Sequence, residues 1–264
     1  MNLEVIVAFL HWVLVLVGLY GIFELGRRSR LFTGLMFFVL PFALIPLFLS
    51  NDIDSWFRWV KLYSVVFGVI WVTLYRFTGL RQASWPRLVV ALILIVNILE
   101  AVAQDLTSGT LATSLNAVAG VLCIVGLANW KSIIRDENAP YKDIIWPGMS
   151  RLWIVAYLVW NWNFVYGNFP ENAMFHVMVL AACTIPGLLK PGLWIEARAY
   201  TLGGWMIYSF AFPAFVGTMS IALPRPLWLA LALSALSLAL NAATVVQRLL
   251  AARARRGSVA QALT

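Results

Sequence analysis

Apolar segments of bilayer-spanning length recur along the whole chain, and no other feature constrains its fold as strongly. Nine of them, at roughly 3–24, 31–50, 61–80, 88–106, 111–130, 151–168, 172–189, 199–219 and 226–247, approach the span of a hydrocarbon core. A helix needs about 17–25 residues for that crossing. Inside hydrocarbon every backbone N–H and C=O must find its partner within the protein, so segments of this kind are helices. Composition agrees, with 62% of residues hydrophobic and 11% charged, where soluble chains carry about a quarter charged. The expectation is an all-α, polytopic membrane helix bundle of about nine helices. Residues 1–250 form a single transmembrane domain, and 251–264 form a short basic and polar cytosolic tail that frays.

The formal net charge of +8 raises the question of an acidic partner, and the placement of the charges answers it. With the N-terminus outside, the connections at 25–30, 76–87, 131–151 and 190–198 and the tail from Arg248 face inward. They hold 16 of the 19 basic residues, leaving Arg58, Lys61 and Arg225 outside. Lys and Arg concentrate on the cytoplasmic side of membrane proteins, so the positive balance reads as topology and nucleic acid is excluded. The inner face would be that of the plasma membrane in a bacterium, or of the endoplasmic reticulum in a eukaryote. The N-terminal run has no basic n-region and ends in a basic cluster, which makes it a first transmembrane helix rather than a signal peptide. Cys123 and Cys183 lie within apolar runs and form neither a disulfide framework nor a metal spacing.

Pro41 and Pro46, Pro186, and Pro213 interrupt the second, seventh and eighth segments, where freed carbonyls need a protein or cavity neighbour. The inner connection "ENAPYKDIIWPG" (137–148) is expected to carry a short interfacial helix.

Polar residues inside the apolar runs converge on one level. Asn97, Glu100 and Gln104 share a helix face, with Glu100 about 18 Å from the inner end of its segment. Asn161 and Asn163 reach the same depth, and His11, Asn116 and His176 fall in the same outer half. No Lys or Arg is expected there, so Glu100 would be desolvated, protonated and held as an acid. Asp105 is expected near the outer surface and solvated. Glu196 and Arg198 are expected at the inner interface, paired with each other or with headgroups. Trp160, Trp162 and Tyr166 sit deep enough to line a cavity with Asn161, Asn116 and His176. The chain has two His and two Cys, too few for a metal site at one depth, and it lacks a Gly-rich phosphate loop; no cofactor is expected.

"WFRWVKLYS" (56–64), "NILEA" (97–101), "DIIWP" (143–147), "CTIPGLL" (183–189) and "WIEARAYTL" (194–202) resemble a family of small multi-pass membrane proteins known only as a domain of unknown function. "WNFVYGN" (162–168) is similar to a helix of the membrane-bound terpene cyclases of meroterpenoid pathways. That resemblance implies an acid at the motif's Glu, where this chain has Asn163, so the acid would have to come from Glu100. The function expected on these grounds is cyclisation of a lipid-soluble prenylated molecule. Glu100 would protonate an epoxide or alkene, Asn97 and Asn163 would orient it, and aromatic faces would stabilise the carbocation. The alternative is a small-solute or proton-coupled transporter with Glu100 as the coupling acid.

Overall fold

A computed structural model describes residues 3–51, 53 and 56–261. The chain is all-α apart from one two-residue ribbon. Each of the nine expected segments contains helix, and among the described residues five helices are long and apolar enough to cross a membrane. These begin with α1 (Leu3–Arg28). The second segment is broken, as its prolines require: α2 (Arg30–Thr33) passes into a π-turn at Gly34–Val39, then α3 (Leu40–Ala43) and α4 (Ile45–Ser50). Then come α5 (Trp56–Phe77), α6 (Trp85–Thr107) and α7 (Leu111–Val125). Next are α8 (Arg151–Asn168), α9 (Ala173–Leu189) and α10 (Trp194–Ala211). A break at Phe212–Pro213 separates α10 from α11 (Pro213–Thr218), and α12 (Leu227–Gln261) ends the bundle. The stretch called a fraying tail continues α12 as helix to Gln261, and its last three residues lie outside those described.

Helix starts follow local chemistry. Thr110 and Thr113 exchange hydrogen bonds in a capping box that opens α7, and Ser150 Oγ accepts from the Trp153 amide to open α8. Each bond satisfies an N–H that the first helical turn leaves unpaired.

Packing divides the molecule around α8. On one side α6, α7 and α12 press together; on the other α8 leads to α9, which packs on α1 and α10, and α10 carries α5. Small residues set the closest approaches. At Gly120 on α7, an added Cβ would fall 2.5 Å from a Val102 methyl on α6 and 2.7 Å from the Trp160 indole nitrogen on α8. At Gly203 on α10 it would fall 2.8 Å from Val69 on α5. In apolar surroundings, where the hydrophobic effect supplies no drive between helices, such close contacts carry the association. The exterior stays apolar, with Phe9, Leu14, Val17, Val96, Val118 and Leu236 among its exposed side chains.

The connection at 137–148 departs from expectation. Instead of a helix, β1 (Ile134–Arg135) pairs antiparallel with β2 (Ile144–Ile145). Pro140 and the turn at Lys142, whose φ of 53° lies in the left-handed region, suit a hairpin better than a helix. Buried Arg76, in the last turn of α5, holds this ribbon. Its Nη1 bonds Glu196 Oε1 at 2.6 Å, and its other nitrogens donate to the carbonyls of Arg27, Tyr141 and Lys142. Glu196 Oε2 accepts from the Ile144 amide at 2.6 Å, and Arg27 grips Asp143 with two bonds. Glu196 therefore pairs with Arg76 and the ribbon, not with Arg198.

Candidate functional site

A cavity of about 330 Å³ lies between α5, α6, α8, α9 and α10. Helical periodicity explains its walls. Lys61, Val65, Gly68, Val69 and Val72 make one face of α5, and Val90, Ile93, Leu94, Asn97, Glu100, Ala101 and Gln104 one face of α6. The two helices approach at Gly68, where a Cβ would sit 3.2 Å from Ile93, and α10 closes the far side with Ile195, Arg198, Ala199, Leu202 and Trp205. Tyr157, Phe164 and Phe169 add aromatic surface.

Asn97, Glu100, Asn161 and His176 all line this space, as the shared depth of their segments led us to expect. The environment of Glu100 differs from expectation. Lys61 Nζ lies 2.6 Å from Glu100 Oε2 and 2.8 Å from Asn97 Oδ1. The lone-acid argument assumed no cation at that level. It failed because α5 begins at Trp56, five residues before the start expected from hydropathy, which puts Lys61 in its second turn facing α6.

The opposite wall is a chain of polar contacts. His176 Nε2 bonds Asn161 Oδ1, Asn161 Nδ2 lies 3.4 Å from the Tyr157 hydroxyl, and the Arg198 guanidinium stands 5.8 Å from the centre of the Tyr157 ring. Arg198 is 7% exposed, and its Nη1 has no hydrogen-bond partner. Among the described residues it has no carboxylate in ion-pair range. It thus lies in the cavity wall, where an interfacial pairing was expected.

The remaining candidates lie elsewhere. Asn116 and Asn163 belong to a separate buried network where α6, α7, α8 and α12 meet. Asn116 Oδ1 accepts from Asn163 Nδ2 and from Ser237 Oγ, each at 2.9 Å, and Asn163 also bonds Ser234. Asp105, expected to be solvated, is 1% exposed at the head of this network. It accepts from Asn116 and Asn168, each at 2.7 Å. It does point away from Glu100, but that other face of α6 is covered by α7 and α8. Trp160 is sealed beside it, donating to the Asn116 carbonyl at 3.0 Å. Trp162 stacks on Tyr166 at 5.3 Å, its indole held by the Ala173 carbonyl and the Tyr166 hydroxyl by that of Pro224. His11 is remote, bonded to Tyr208 at 2.7 Å. Three helices, α6, α8 and α9, thus bring four of the nine candidate residues to the cavity, and Asn116, Asn163, Trp160, Trp162 and Tyr166 lie outside its lining.

Lys61, Tyr157 and Arg198 were missed. Lys61 and Arg198 each interrupt a helical apolar face, which is the signal that finds them once helix ends are set by caps and pairing rather than hydropathy. Among the described residues, no three His, Cys, Asp or Glu side chains stand close enough to hold a metal ion. No curated protein and no solved structure matches the chain. One family model matches residues 3–262, nearly its whole length, so the chain belongs to the family described as a family of unknown function, DUF5692.

Proposed function

We propose that this is an integral membrane protein crossing the bilayer nine times, N-terminus outside and C-terminus in the cytosol. We propose further that its cavity binds a lipid-soluble small molecule within the membrane. One observation carries the binding role: an apolar and aromatic pocket on which a few polar groups converge from five helices. Ligand sites have this character, and in membrane helices ionisable groups cluster where function needs them. The apolar exterior and the inward bias of Lys and Arg support the topology.

Two narrower readings divide this role. Acid-initiated cyclisation of a prenyl chain is supported by the aromatic wall of Tyr157, Phe164, Phe169 and Trp205, whose faces can stabilise a carbocation. Its proton donor, Glu100, must part from Lys61 when substrate enters. Coupled transport is supported by the helix breaks at Gly34–Val39 and Phe212, which give the bundle places to bend. Membranes supplied with an epoxy-farnesyl phenol separate the two: an isomer of unchanged mass supports cyclisation, and proton flux in reconstituted vesicles without any isomer supports transport. Retention of a small molecule by the purified protein, abolished by filling the cavity with Leu202→Trp, tests the shared binding role. Failure to retain any ligand would refute it. Cysteines placed at Thr107 and Ser132 should label from opposite sides, and labelling from one side would refute the topology.

A further inference from the structure

The cavity wall carries two cations, Lys61 and Arg198, but one carboxylate, Glu100. Glu100 is taken by Lys61 at 2.6 Å. Arg198 has no such partner. Its guanidinium offers five N–H donors in a planar fork, and the groups it meets, the ring and hydroxyl of Tyr157 and the Cys183 thiol, supply no carboxylate to match its charge. Neighbouring Asn161 has its carbonyl oxygen occupied by His176. A buried arginine that lacks a counter-anion is costly, and the fork matches carboxylate or phosphate oxygens in a two-bond arrangement. The rest of the wall is aliphatic and aromatic, which suits a hydrocarbon chain.

We propose that the missing counter-anion is the headgroup of the ligand: the cavity takes a single-chain amphiphile whose carboxylate or phosphate is held by the Arg198 guanidinium, with its chain along α5 and α6. This inference rests on the binding role proposed above and specifies the ligand's chemical class. A polar chain of His176, Asn161 and Tyr157 leads toward the headgroup and offers it neutral hydrogen-bonding neighbours. The Lys61–Glu100 pair, internally neutral, marks a second polar position in the same cavity.

The test compares probes of one chain length on the full-length protein in detergent or nanodiscs: dodecanoate, dodecyl phosphate and dodecanol, with a two-chain phosphatidate as competitor. At least one single-chain anion should bind ten-fold or more tightly than dodecanol. Arg198→Met should erase that preference while leaving dodecanol binding in place, and Arg198→Lys should retain part of it. Continued protection of Cys123 and Cys183 from thiol reagents reports that each variant is folded. A preference for dodecanoate points to free acids, and one for dodecyl phosphate to phosphorylated lipids. Displacement of either by the phosphatidate assigns a membrane-lipid headgroup as the source and overturns the restriction to a single chain. Equal binding of alcohol and anions by the unmodified protein overturns the anion assignment but leaves the cavity's binding role standing. Binding of none of them, alcohol included, overturns the binding role and this inference with it.

Discussion

Replacing Arg76 by Met should be among the most damaging single changes in the chain. Arg76 and Glu196 are both fully buried, and their charges meet at 2.6 Å. Removing the guanidinium leaves Glu196 with the Ile144 amide and strips a donor from the carbonyls of Tyr141 and Lys142 in the connection and of Arg27 at the end of α1. Breaking a buried pair from one side costs about 3–5 kcal/mol, most of it the uncompensated partner. Glu196→Gln should cost less, since the amide keeps a hydrogen bond to the guanidinium, whose charge still has the Asp143 carboxylate 3.7 Å away. The double variant should be less damaged than the two single losses added together, because neither charge is then stranded. Cys123 and Cys183, both buried and free, supply the readout: a thiol-reactive fluorophore labels them as the protein unfolds on heating. The apparent midpoint should fall by roughly 6–20 °C, taking 2–4 °C per kcal/mol for a chain of this size class. Additive losses in the double variant, or a shift under 2 °C for Arg76→Met, would refute the reasoning.

Three further outcomes use the same readout. Gly120→Val should destabilise by about 1–3 kcal/mol, because its side chain would overlap Val102 and Trp160, whose atoms lie 2.5 Å and 2.7 Å from the new Cβ; an unchanged midpoint would mean that the α6–α7–α8 contact is looser than described. Asp105→Ala should cost about 1–3 kcal/mol by leaving one N–H of each of the Asn116 and Asn168 amides without its acceptor, with Asp105→Asn milder. Between two connections, the Lys190 ammonium at 2.8 Å holds the Asp136 carboxyl below its ordinary value. A depressed carboxyl contributes stability that is present above its unfolded value and lost as pH falls through its folded value. Asp136→Asn should therefore flatten the midpoint's pH dependence below about pH 4; an unaltered slope would contradict that pairing.

Hydropathy and charge made the helices legible and left the partners of polar groups obscure, for a physical reason. A span is a property of about twenty consecutive residues, whereas a contact depends on rotation and on the helix across the gap. Glu100 and Asp105, five residues apart on α6, show the difference. Spacing correctly separated their faces, but it could not tell that α7 and α8 seal the Asp105 face while the Glu100 face borders a cavity. Asn116 and Asn163 reached the right depth and turned toward each other, since Ser234 and Ser237 on α12 supply their partners. Those serines, with Asn241 and Thr244, form a buried stripe at helical spacing that was visible in the sequence. The Pro41 and Pro46 breaks were legible because proline acts on its own segment. The ribbon at 134–145 was not, because its anchor, Arg76, lies about sixty residues away.

Photo-crosslinking from inside the cavity tests the central claim most directly. A photoreactive phenylalanine at Leu202, on the cavity wall, is compared with one at Val118, on the exposed face of α7. Intact mass of the irradiated protein, taken from its native membrane, reports what each position touches. Position 202 should capture a discrete small molecule, and position 118 the mixed phospholipids of the bilayer. The same phospholipid adducts at both positions, or no adduct at 202 while 118 crosslinks, would contradict an intramembrane ligand site.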